Sequence, residues 1–105
     1  MPTKKQSEAF NKQVDNIMKE MGATEADSHY KYKIATKAGD LFINVWPPDK
    51  CTCYSIFCRF DDPGKAKAVL PYFSNLNKHS GKWNFHEYDS AYLLELFSNS
   101  LKKIA

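Results

Sequence analysis

Three cysteines, three histidines and the adjacent pair Asp61 and Asp62 are the residues of this chain best suited to chemistry, and their spacing limits what they can do. Cys51 and Cys53 are two apart and share a side of an extended chain, but Cys58 follows Cys53 by five residues. An odd separation on a strand sends it to the opposite face, about 16 Å away. Three thiolates cannot converge on one ion from there, and Cys51 and Cys53 with His79 or His86 lack the paired CxxC spacing of a zinc site. No metal and no cofactor is expected, and Cys58 reads as a small core residue. For catalysis the candidates are Cys53 with a histidine, or the two carboxylates. Neighbouring aspartates do not readily face one substrate, and at the start of a helix they have a capping role. A phosphate-binding glycine loop, a nucleophile elbow and an HExxH pattern are all missing, so the chain is not expected to be an enzyme.

A second set of residues points to binding. The chain has one arginine, Arg59, among fourteen lysines, and a planar, multi-donor contact explains it better than solubility, which lysine already supplies. Near it in the pattern stand Phe42, Trp46 and Phe57, with Lys31 and Lys33 to one side and KHSGKWNFH at residues 78–86 to the other. That last stretch sets a Ser80-Gly81 turn beside Lys82, Trp83 and His86, types that supply charge, stacking area and donors at recognition sites. Trp83 is equally suited to the core.

The elements that must position these residues centre on residues 40–63, DLFINVWPPDKCTCYSIFCRFDDP. Residues 41–46 and 52–60 are rich in aromatic and β-branched types, and the PPDK between them cannot continue a ladder. Two antiparallel strands are expected. Alternation puts Leu41, Ile43 and Val45 on one face with Tyr54, Ile56, Cys58 and Phe60, which is the core. The other face holds Phe42, Asn44, Trp46, Cys53, Ser55, Phe57 and Arg59, too aromatic for an ordinary solvated side. It is expected to be covered by a helix, buried against a second copy, or used for binding.

Around this centre, Phe10, Val14, Ile17, Met18 and Met21 recur at helical spacing within residues 5–21, stopped by Gly22. Residues 23–27 read as a polar connection. Residues 28–37 alternate, with Tyr30, Tyr32 and Ile34 on the apolar side, and a turn at 37–40 leads into the central pair. Asp61 and Asp62 cap a short helix that starts at Pro63 and ends near Leu70. Residues 82–88 form a short strand, and Asp89 or Ser90 caps a last helix striped with Leu93, Leu94, Phe97, Leu101 and Ile104. The order α-β-β-β-α-β-α describes one α+β domain over residues 1–105, a two-layer sandwich with a three-strand antiparallel meander and a short fourth strand.

The totals bound the rest. Hydrophobic residues at 43% are enough for an independent core, so no disulfide staple is expected and the odd cysteine count reads as reduced thiols. No apolar run approaches the roughly 20 residues of a membrane span, nor is there an apolar segment of a secretion signal near the start. A soluble, intracellular protein with no membrane partner is expected. A net charge of +3 is compatible with nucleic acid without demanding it.

The runs YSIFCRFDDPGKAKAVL at 54–70 and NKHSGKWNFHEY at 77–88 resemble small accessory proteins of phages, prophages and other mobile elements. That resemblance implies a host-cell cytoplasmic protein that binds and blocks a host factor, including components of defence against foreign nucleic acid, in the manner of an anti-CRISPR protein. The helix, three-strand, helix order also resembles a double-stranded-RNA-binding domain, with Asp61 and Asp62 where phosphate would approach. The leading expectation is therefore a non-catalytic binding protein that occludes a host protein. The alternative is a nucleic-acid-binding module using the aromatic and basic sheet face, and an uncovered face would favour a homodimer.

Overall fold

The computed structural model describes residues 3–26, 29–46 (the backbone alone at Trp46), 53–71, 76–77 and 79–104. Helix α1 (Lys4–Glu20) starts with a capping box: the Thr3 hydroxyl accepts from the Gln6 N–H, and the Gln6 side chain accepts from the Thr3 N–H. Two otherwise orphaned donors are thereby satisfied at once. It ends at Gly22, whose φ of 74° lets the Ala23 N–H turn back to the Met18 carbonyl at 2.9 Å. Its buried side is Ser7, Phe10, Val14 and Met18, with Ile17 and Met21 packed alongside.

The chain then forms an antiparallel five-stranded sheet in chain order, β1 (Thr24–Glu25), β2 (Tyr32–Thr36), β3 (Gly39–Trp46), β4 (Tyr54–Phe60) and β5 (Phe85–Glu87). Between β4 and β5 lies α2 (Pro63–Val69), capped by the Asp62 side chain with proline in the first turn, and α3 (Ser90–Ile104) follows β5. Asp89 Oδ1 accepts from the N–H groups of Ala91 and Tyr92 at the start of α3. The α+β class, the meander and the three helices match the sequence expectation.

One edge strand is additional. Residues 24 and 25 were expected in a connection, yet they pair with Lys33 and Tyr32. Both are exposed, so no apolar alternation marks them. The PPDK connection lies outside the described residues.

Alternation places Tyr32, Ile34, Leu41, Ile43, Tyr54, Ile56, Cys58, Phe60 and Phe85 in one buried layer. Onto it α1 and α3 pack side by side: Phe10 lies 4.9 Å from the Tyr54 ring and Phe97 lies 5.6 Å from the Phe85 ring. Helix α2 adds Ala66 and closes on the buried Leu70 just beyond its end. Burial pushes the Cys58 thiol up, so it stays protonated as a small core residue. Among the described residues no helix is long and apolar enough to cross a membrane.

At the edge of this layer Tyr32 donates its hydroxyl to Asp15 Oδ1 at 2.9 Å, and Lys19 sits 3.0 Å from Asp15 Oδ2. The hydrogen bond from Lys19, then that from Tyr32, hold the Asp15 carboxyl below its ordinary value, while burial and the same bond raise the Tyr32 phenol. The two shifts have opposite consequences. A depressed carboxyl contributes stability above about pH 4 that is lost as pH falls, and a raised phenol contributes stability below about pH 10 that is lost as pH rises. Urea denaturation of Asp15→Asn should therefore differ from the parent more at neutral pH than near pH 3. An equal difference at both would remove Asp15 from the acid limb.

Candidate functional site

No residue of α1, α2 or α3 lines either of the two depressions on the opposite face of the sheet. The helices are engaged with the core layer, so among the described residues no helix covers the part of this face around the two depressions, although Ser55 on the same face is buried. The ladders align its side chains in rows. Lys33 pairs with Phe42, Phe42 with Arg59, and Arg59 bridges to Lys82. One row across β2, β3, β4 and the segment leading into β5 therefore carries three cations and one aromatic ring. At ~4.8 Å per step it spans about 14 Å.

The next row pairs Asn44 with Phe57, and the same β4–β5 register carries Asn84 to the far side of Phe57. The Asn84 side chain accepts from the Cys58 N–H at 3.3 Å, substituting for a ladder bond where β5 has not yet begun. Beyond it Ser55 and His86 are cross-strand partners, their Oγ and Nδ1 atoms 2.8 Å apart, and His86 also meets Phe57 edge-on at 5.4 Å. Cys53 Sγ lies 3.8 Å from Ser55 Oγ. Ser55 is buried, so its hydroxyl orients the imidazole and is closed to a substrate.

A short segment relieves the flatness of the face. His29 and Tyr30 lie over it, with the Tyr30 ring 5.7 Å from Phe42. They form a shared wall between a depression of about 310 Å³, lined also by Asn44, Phe57, Lys82 and Asn84, and one of about 230 Å³, lined also by Phe42, Arg59 and Asp61. Tyr30 was expected on the core side with Tyr32. The chain bends at Lys31, whose N–H bonds the carbonyl of Ile43, the register partner of Tyr32, so the regular alternation does not reach back to Tyr30.

Of the residues singled out in the sequence, Phe42, Phe57, Arg59, Lys33, Lys82 and His86 come together here, with Arg59, Lys82 and His86 exposed and both phenylalanines half-buried. Two do not. Lys31 turns to the other side, its Nζ 5.4 Å from the Tyr32 ring, beside a groove that Asp15, Met18 and Lys19 share. Trp83 is a correction of substance: it is 1% exposed, stacked on Phe60 at 5.8 Å and edge-on to Phe85 at 4.9 Å, so it is core and cannot touch a partner. The Trp46 side chain and Cys51 lie outside the described residues. Tyr30, His29, Asn44, Asn84 and Asp61 are the members the sequence reading did not offer as site residues. The two asparagines share the period-two signal of their neighbours, whereas Tyr30 and His29 have no signal of their own.

Cys53 and Cys58 are free thiols on opposite faces. Among the described residues no cluster of three or more histidine, cysteine, aspartate or glutamate side chains is arranged to hold a metal ion. Comparison with protein-family models, curated proteins and solved structures finds no match to this chain.

Proposed function

We propose that this protein is a non-catalytic binding module that holds nucleic acid on the uncovered sheet face. The observation that carries the reading is the cross-strand row of Lys33, Phe42, Arg59 and Lys82, which sets three cations and one aromatic ring side by side on the sheet. Rows of this kind suit a polyanion with flat rings: phosphates meet the cations and rings meet the aromatics. The acids near the row, Asp40 and Asp61, stand beside its middle members Phe42 and Arg59, joined by the bond from the Asp61 N–H to the Asp40 carbonyl.

Three cations on single-stranded phosphate give a salt dependence with a log-log slope of about −2, and loss of one reduces it by about 0.7. Arg59→Ala and Lys82→Ala should each weaken binding by at least about 1 kcal/mol while melting like the parent, since both side chains are exposed. The deciding experiment is capture from a host lysate by the parent and by the double variant, with and without nuclease. Nucleic acid recovered by the parent and lost by the variant supports the reading.

A second reading keeps a host protein as the partner, in the accessory role that the mobile-element resemblance implies, including a defence component as target. What favours it is a separate surface. Tyr88, Tyr92 and Leu96 recur every four residues at and along α3 and are 80%, 53% and 36% exposed, an unusual run of apolar area for a helix exterior. A nuclease-resistant protein captured through those residues, and indifferent to Arg59 and Lys82, would replace the first reading by the second.

A further inference from the structure

We propose that the ligand of the open face is a single strand, with unpaired bases in the two depressions beside Tyr30 and its phosphates along Lys33, Arg59 and Lys82. The inference rests on the reading of this face as the binding surface and names the form of nucleic acid it takes. The lining is the first argument. In the larger depression Asn84 Oδ1 already accepts from the Cys58 N–H, and Asn44 Oδ1 accepts from the Val45 N–H at 3.0 Å. The Asn44 amide also donates to the His29 carbonyl at 3.5 Å, so the donors that this lining offers are chiefly the Asn84 amide and the Lys82 ammonium, next to the rings of Phe57 and Tyr30. A flat ring bearing carbonyl or ring-nitrogen acceptors complements that lining. The smaller depression sets a donor, Arg59, beside an acceptor, Asp61, against Phe42 and Tyr30. A base edge offers both kinds of group to such a pair.

The second argument is what a duplex would leave unused. Stacked, paired bases present no ring face, so a duplex could meet the cation row but not the aromatic walls, and it would bring phosphate against Asp61. An unpaired strand uses both and can turn its phosphate away from the carboxylate.

Charge argues against a second copy as the occupant. Two-fold stacking of this face on itself would gather six row cations, three from each copy, against four carboxylates, Asp40 and Asp61 of each copy, leaving an excess of positive charge. An acidic peptide would satisfy the cations but leave the two ring-lined depressions without flat partners.

The test is fluorescence anisotropy with a labelled uridine oligomer of about twelve nucleotides, with a duplex of equal length and polyglutamate as competitors. The single strand should bind at least about 10-fold tighter than either competitor, and Phe57→Ala and Arg59→Ala should each weaken it about 5-fold or more. Phe57 is half-buried, so its variant is read only if it melts as a folded protein; Arg59→Ala, at an exposed position, stands on its own. Equal competition by duplex or polyglutamate overturns the single-strand proposal. Polyglutamate binding that depends on Arg59, without binding of the oligomer, overturns it while leaving the face as an anion surface. Binding indifferent to both variants, or no binding of any probe, overturns the proposal and the underlying reading together.

Discussion

Replacing Trp83 by alanine should cost about 3–5 kcal/mol of folding stability, the range for deleting a large aromatic side chain from a packed interior. Trp83 is among the largest fully buried side chains, and it joins the Phe60 ring on β4 to Phe85 on β5. Its backbone N–H also bonds the Cys58 carbonyl at 2.8 Å, so the ring anchors the segment that delivers Lys82 and Asn84 to the opposite face. Against a typical domain stability of ~5–15 kcal/mol this loss is a large fraction of the total. Urea denaturation should show the midpoint fall steeply for Trp83→Ala and much less for Trp83→Phe, which keeps most of the ring volume. A Trp83→Ala protein as stable as the parent, but unable to bind, would restore the residue to the recognition surface and contradict its burial.

Gly81→Ala should be the second severe change, and for two additive reasons. Its φ of 75° lies in the left-handed region, which costs a side-chain-bearing residue about 1–2 kcal/mol. A β-carbon there would also stand 2.9 Å from the Phe60 carbonyl oxygen and 3.1 Å from Pro63 Cγ. The Phe60 backbone cannot retreat easily, because its own N–H is bonded to the Gly81 carbonyl at 3.0 Å. Gly22→Ala isolates the first reason, since it shares the positive φ but meets nothing within 4 Å. Measured by chemical denaturation, Gly81→Ala should lose about 2 kcal/mol or more and Gly22→Ala about 1 kcal/mol. Equal losses would mean that the contact with Phe60 relaxes away.

Most of the fold was legible because its elements bury one regular side. The stripes of α1 and α3 and the alternation of β3 and β4 each mark a face that must leave water, and the structure seats them as their periods imply. β1 was not legible, since two exposed residues joined by backbone bonds leave no trace in side-chain pattern. Tyr30 was misplaced because alternation holds only while the chain stays extended, and the bend at Lys31 ends it. Trp83 was ambiguous for a different reason: tryptophan suits a core and an interface alike, and only its cross-strand neighbours decide. The site divides in the same way. Phe42, Phe57 and Arg59 could be gathered by counting in twos along paired strands, but the alignment of Lys33 and Lys82 into their row depends on register, which side-chain alternation alone does not state and the irregular start of β5 conceals from a linear reading.

A sheet whose strands are joined in the order in which they are made has a consequence for the chain during synthesis. Each of β2 to β4 finds its partner in the strand just before it, so the meander can grow as residues appear, with only local loops to close. The roof over its apolar side is not built that way. Helix α1 is made first, but the 15 residues of α3, bringing Leu93, Phe97, Leu101 and Ile104, come after every strand. At ordinary rates of translation their synthesis takes about 1–3 s. Until α3 is complete, Phe85 lacks the Phe97 ring that packs on it. The hazard of self-association falls in this window, and changes that slow or weaken α3 would act on yield before they act on the finished protein.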